Sequence, residues 1–167
     1  MRSRQAIALL ALVGFFVALY LWLHALGVGG ALKCGMGGCE TVQTSRWAVL
    51  FGVPVAFYGV VGYFALLVGA LVSLRPAALR DRKWNVMLAG LSTIGLLFTA
   101  YLTYLELFVI HAICRWCVGS AVIITVIWVV AVIALRRQDA RTPGRHVMSP
   151  EPRTDPAASP PLPDPPA

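Results

Sequence analysis

Charge is scarce in this chain. Asp, Glu, Lys and Arg make up 13% of its 167 residues against 59% hydrophobic, where a soluble domain carries about a quarter charged residues. Water is therefore excluded as its main solvent. The 14 basic residues outnumber the 7 acidic ones, for a formal charge of +7, yet Arg and Lys are not interleaved with aromatics on any polar face. This removes nucleic acid as the partner that a basic chain would suggest. No charged residue stands at the centre of an apolar stretch, and the stretches are few, which argues against a secondary transporter. There is no internal repeat. Proline is almost missing from the apolar part: nine of the 11 prolines lie between Pro143 and Pro166, leaving only Pro54 and Pro76 before them.

What remains between the sparse charges is four long apolar stretches, Gln5 to Leu32, Trp47 to Leu74, Trp84 to Leu105 and Trp116 to Leu135. About 20 apolar residues cross the roughly 30 Å hydrocarbon core of a bilayer as a helix, the form in which a single segment satisfies its own backbone hydrogen bonds. The expected fold class is an all-α integral membrane protein, a four-transmembrane-helix bundle with membrane lipid around it. The first stretch follows Arg2 and Arg4 as a signal peptide's would, but it exceeds the roughly 7–15 residues of an h-region. It is expected to be retained as the first spanning helix.

The basic residues then set the topology. Arg2, Arg4, Arg75, Arg80, Arg82, Lys83, Arg136, Arg137, Arg141, Arg145 and Arg153 fall on one side of a four-helix thread, and only Lys33, Arg46 and Arg115 on the other. The positive-inside rule places both termini and the middle loop in the cytoplasm and the other two connections outside. The first helix is expected from about Ala6 to Leu26, and Gly27, Gly29 and Gly30 lead from it into an outer loop, Cys34 to Arg46. Pro54 lacks an amide donor and restrains Val53, so the regular part of the second helix should begin near it. Arg75-Pro76 ends that helix, and the short loop to Lys83 makes the second and third helices antiparallel neighbours. His111 to Trp116 forms a tight outer turn. The membrane domain is expected over residues 1–137, and the Pro-rich segment 138–167 as a disordered cytoplasmic tail.

All four cysteines, Cys34, Cys39, Cys114 and Cys117, lie in the two outer connections. Clustering on the oxidising side points to disulfide chemistry. Two structural disulfides in a membrane scaffold are one reading; redox pairs are the other. Cys114-Arg115-Trp116-Cys117 opens a spanning helix, where unpaired amides and the helix dipole favour a thiolate, and Arg115 adds positive charge. A c-type haem site is excluded because Val118 stands where that motif needs His. A metal-binding cysteine site of four thiolates, with His111 able to replace one, stays open as an alternative. Glu106 either relays protons or reaches interfacial water, and His111 is either a proton donor or a solvated residue. Trp47, Tyr63, Trp84, Tyr101, Tyr104 and Trp128 are core or interfacial anchors by default.

The segment Cys34-Gly-Met-Gly-Gly-Cys39-Glu-Thr-Val-Gln-Thr-Ser45, followed by Phe51-Gly-Val-Pro-Val-Ala-Phe-Tyr-Gly59 and later by Tyr104-Leu-Glu106 and Cys114-Arg-Trp-Cys117, resembles the vitamin K epoxide reductase family over roughly residues 6 to 135. The resemblance implies a four-helix bundle with an outer redox loop, enclosing a quinone, menaquinone or ubiquinone, beside the C-x-x-C. Carried over, Cys117 is the thiolate facing the quinone, Cys114 its disulfide partner, and Cys34 with Cys39 the shuttle pair. Ser45 lies beside the quinone pocket, although a serine there could equally cap a short helix. The implied activity is reoxidation of an extracytoplasmic thioredoxin-fold, DsbA-like partner, which supports disulfide formation. No segment after Leu135 could fold as a thioredoxin domain, so the partner is expected to be a separate polypeptide. The animal enzymes hold vitamin K with an Asn and a Tyr at positions that by motif offset are Ala48 and Ala121 here, which implies quinone rather than epoxide reduction. The Ala, Arg and Pro content of the tail fits a bacterium with a GC-rich genome, and the expected location is the bacterial inner membrane.

Overall fold

Each apolar stretch becomes a helix wherever its backbone ladder can run unbroken. In the computed structural model, which describes residues 2–28, 38–75 and 82–140, the helices are α1 (Arg2–Ala25), α2 (Cys39–Thr44), α3 (Val55–Val72), α4 (Arg82–Leu105) and α5 (Arg115–Ala140). Four of them, all but α2, are long and apolar enough to cross a membrane. Helix α3 begins directly after Pro54, as the missing amide requires. Helix α5 runs on past 137 to Ala140. Lys33, Cys34, Arg80 and the tail beyond Ala140 lie outside the described residues.

The bundle is apolar outside as well as inside. Leu9, Ile94 and Leu97 are each 66% exposed, an arrangement that lipid tails tolerate and water does not. Association in lipid rests on close packing, and the buried face of α1 is built of small side chains: Ala8, Ala11 and Ala18 pack with Ile7 against Tyr63, Leu66 and Ala70 of α3 and Ile127 and Ala131 of α5. At Gly14 a Cβ would run into the Tyr63 ring, so glycine there is what lets α3 approach.

Helix α1 packs most extensively on α3, while α5 packs on both α4 and α1. The second and third spans, α3 and α4, are neighbours as expected, but theirs is the loosest of these seams. At the end remote from the cysteines, buried Arg4 donates to the Ser73 carbonyl oxygen at the C-terminus of α3. Arg82 pairs there with Asp139 at 2.8 Å, joining the start of α4 to the end of α5.

The other end carries irregular structure that apolar periodicity did not reveal. After α2, a 3-10 turn at Arg46–Ala48 leads into a small hairpin, β1 (Val49–Leu50) and β2 (Val53–Pro54), with Leu50 opposite Val53. Phe51 and Gly52, at φ 52° and 81°, make its two-residue turn, as in a type I′ hairpin. Tyr58 fastens the hairpin to α3 by donating to the Leu50 carbonyl at 3.1 Å. Beyond α4 the chain continues as a π-helical turn, Glu106–Ile110, which His111 closes at φ 54°. A π turn is rare and gathers at functional sites.

Candidate active site

Cys114 is the N-cap of α5. Its carbonyl accepts the first helical bond, from Val118 N–H at 3.0 Å, and its sulfur takes the place a Ser or Asp oxygen takes at other helix starts. The Cys117 thiol and the amides of Cys117 and Trp116 donate to that sulfur and, against burial and the neighbouring Glu106 charge, lower its pKa from 9.0 to about 7. The sulfur so stabilised belongs to the residue expected as the disulfide partner. Arg115 is exposed and is not among the groups that stabilise it. Cys114 itself is fully buried, and both it and Cys117 are free thiols, which departs from a scaffold locked by two disulfides.

Glu106, the first residue of the π turn, is 5% exposed, so its carboxyl does not reach interfacial water. Its Oε2 accepts the Cys114 N–H at 3.2 Å, and its carboxyl is also a hydrogen-bond partner of the Cys117 thiol. Across from it, α2 delivers Cys39. This cysteine is disulfide-bonded and buried in one cluster with Val42 and Cys114, against which Ile110, Ala112 and Cys117 pack. Gly38 fits against Ala112 only because it has no side chain: a Cβ there would lie 2.5 Å from the Ala112 Cβ. Cys34 lies outside the described residues.

Cys117 faces a cavity of about 550 Å³, within the roughly 300–1,000 Å³ of small-molecule sites. Its walls come from α1, α3, α4, α5 and the segment Val42–Ala48, and the aromatic rings of Trp47, Phe57, Tyr58, Tyr63 and Phe98 contribute to them. Sequence reasoning missed Phe57, Tyr58 and Phe98 as lining rings: Phe57 and Tyr58 stand in the motif that ends at Gly59, and Phe98 carries no signal distinguishing it from a lipid-facing ring. Ser45 lines the cavity and also donates to the Val42 carbonyl at 2.7 Å, so it caps the end of α2 as well. Ala48 is in the wall, whereas on α5 it is Ser120 and Ile124, not Ala121, that face the space. Tyr63 donates at 2.9 Å to the Ser120 carbonyl, and its hydroxyl lies 2.9 Å from the Ser120 hydroxyl. Val61 and Ile94 line the cavity while being 51% and 66% exposed, so the space opens between α3 and α4 toward the lipid. Among the described residues no three of His, Cys, Asp and Glu come together as a metal-binding group.

A four-helix membrane bundle with a dithiol at the start of one span, facing an apolar cavity open to lipid, has the layout of a membrane oxidoreductase. The family model described as Vitamin K epoxide reductase family matches residues 5–132, and the chain belongs to that family. Membership makes it a membrane oxidoreductase, of a family that works in thiol–disulfide chemistry and generally passes electrons to quinones.

Proposed function

We propose that this protein is a thiol–quinone oxidoreductase of the bacterial inner membrane, with both termini cytoplasmic and all four cysteines outside. It takes electrons from a separate thioredoxin-fold partner through Cys34 and Cys39, then through Cys114 and Cys117, to menaquinone or ubiquinone. The observation that carries this reading is the position of the dithiol. Cys114 is buried against Cys39, while Cys117 forms part of the cavity wall.

The residues present suit a quinone. A flat, largely apolar ring fits among Trp47, Phe57, Tyr58 and Phe98, and a long apolar tail fits the opening between α3 and α4. When bound, such a group supplies a two-electron, two-proton acceptor. The chain's own part is a series of thiolate exchanges. A partner thiolate opens the loop disulfide, and a loop thiolate then attacks the Cys114 sulfur of a Cys114–Cys117 disulfide. The mixed disulfide holds Cys114 and frees Cys117, which takes up a proton and stands as the thiol at the cavity wall, while Cys114 is the more acidic of the two. The second loop thiolate resolves the mixed disulfide and leaves both Cys114 and Cys117 reduced.

The test is quinone reduction by purified protein in detergent, supplied with a reduced thioredoxin-fold partner, comparing wild type with single alanine variants of Cys34, Cys39, Cys114 and Cys117. Only the wild type should turn over. A Cys117→Ala protein that reduced quinone at the wild-type rate would remove Cys117 from the donor role, and four fully active variants would sink the function.

A further inference from the structure

Among the described residues the cavity has a single carboxyl group in its wall, and that group touches the reacting sulfurs. Glu106 lines the space together with Cys117, and no Lys, Arg or His is among the described residues that line it. Burying a carboxyl in a membrane span without a cation opposite is costly, and where it is retained it marks a functional position. Hydroxyls also line the cavity, from Thr99 and Thr103 and from Tyr58, Ser45 and Tyr63, of which the last three donate to the Leu50, Val42 and Ser120 carbonyls. Hydroxyls of this kind do not release a proton near neutral pH, whereas a carboxyl both holds and releases one.

We propose that Glu106, within the thiol–quinone reading above, is the catalytic acid–base that carries a proton from the Cys117 sulfur to a quinone oxygen. Its geometry serves both halves of the transfer. One oxygen is fixed by the Cys114 amide at 3.2 Å, which holds the carboxyl beside the Cys117 thiol and at the cavity wall. The exchange balances as follows. Cys114 reacts as a thiolate, its proton already released to the outer aqueous side. The S–S bond forms to Cys117 and two electrons pass to the quinone. The Cys117 proton moves to the carboxylate and from the carboxyl to the quinone oxygen, and one proton from the outer water completes the hydroquinone. Glu106 ends the cycle in the state in which it began.

Glu106→Gln separates this role from simple positioning, because a Gln carbonyl still accepts the Cys114 N–H but cannot carry a proton. Removing one general acid–base is worth roughly 10²–10⁴-fold. We expect at least about a hundredfold loss in kcat for quinone reduction with KM for quinone nearly unchanged, and partial recovery in Glu106→Asp. A second readout uses no quinone: with no acceptor to take the proton on, oxidising the dithiol of detergent-purified protein should leave the Cys117 proton on Glu106 and change the infrared carboxyl C=O band in the wild type, with the shift in D2O that marks a carboxylic acid, and not in Glu106→Gln. If Glu106→Gln does not accumulate, the wild-type spectrum and Glu106→Asp decide. Wild-type kinetics in Glu106→Gln, or no carboxyl change on oxidising the wild-type dithiol, would overturn the proposal. A carboxyl change in a wild-type protein that never reduces quinone would overturn the thiol–quinone function, and with it the quinone half of this role, while keeping Glu106 as the proton partner of the dithiol.

Discussion

Replacing Gly38 by alanine should uncouple electron transfer from stability. Gly38 precedes α2 as its N-cap at φ −75°, a conformation open to any residue, so it is space and not backbone freedom that requires glycine here. The new Cβ would stand 2.5 Å from the Ala112 Cβ and 3.3 Å from the Ala112 Cα, where carbon pairs are comfortable at about 3.5–4.0 Å. Ala112 has no rotamer to yield with, so α2 must move, and Cys39 is the next residue along it. Overpacking of this kind costs about 1–3 kcal/mol, which corresponds to about 5- to 150-fold in the population of the docked loop. Global stability should fall less, because exchanging Gly for Ala at a compatible φ removes unfolded-state freedom worth about 0.4–1 kcal/mol. The assay is quenched-flow alkylation after mixing oxidised protein with reduced partner, timing the appearance of Cys114 and Cys117 thiols. Gly38→Ala should slow that step by about tenfold with a small change in Tm, and Ala112→Gly in the same chain should restore most of the rate. A Gly38→Ala protein as fast as wild type, or no rescue by Ala112→Gly, would refute the docking of α2 as the determinant of transfer.

Three further outcomes follow from the same geometry. In the reduced protein the alkylation rate of Cys114 should rise with a midpoint near its pKa of about 7, and since that lies below the ordinary 9.0, its contribution to stability is complete above about pH 9 and is lost as pH falls through about 7. A thermal denaturation series of reduced wild type against Cys114→Ser should show that difference disappearing on acidification. Gly62 lines the cavity and a Cβ there meets no atom within 4 Å, so Gly62→Leu should fold normally yet raise KM for quinone by about tenfold or more, with the partner-driven exchange between cysteines unchanged in stopped-flow traces. Tyr63→Phe removes the hydrogen bond from α3 to Ser120 of α5, which should cost about 0.5–1.5 kcal/mol, read as a lower Tm in detergent.

The spans were legible because the physics that sets them is one-dimensional. Uncharged stretches of sufficient length, bounded by Arg and Lys, leave a backbone in lipid with one solution, and Pro54 has only one place in a helix where its missing amide does no harm. The hairpin before α3 was not legible in this way. Phe51 at φ 52° is an unusual residue for a turn that favours Asn or Asp, and without the Asn-Gly or Asp-Gly signature the segment reads as part of an apolar run. For the cysteines, spacing placed the C-x-x-C at a helix start, and the family resemblance assigned Cys117 to the quinone side. Which sulfur is the more acidic is decided by where three donors point, and no spacing encodes that. Glu106 shows the same limit. Counted in α-helical turns it lies about two turns from Cys114, at the membrane edge. The π turn and the reversal at His111 bring its side chain back onto the Cys114 amide instead.

The site and the loosest seam of the bundle have a common cause. Small residues on α1 allow α3 to come close, with Gly14 receiving the Tyr63 ring, and α5 is held on both its sides, by α1 and α4. With those interfaces satisfied, nothing draws α3 and α4 together in a solvent as apolar as their own side chains, since lipid offers no hydrophobic penalty for leaving the gap. The gap is therefore tolerated where a soluble protein would have collapsed it or lost stability to it. It opens toward the lipid between Val61 and Ile94, the direction from which a lipid-dissolved acceptor arrives. The segment Val42–Ala48 contributes to the wall at the cysteine end of the bundle. An apolar space so placed strengthens each charge-dependent contact at its wall, and among the described residues that line it the Cys117 thiol and the Glu106 carboxyl stand beside each other.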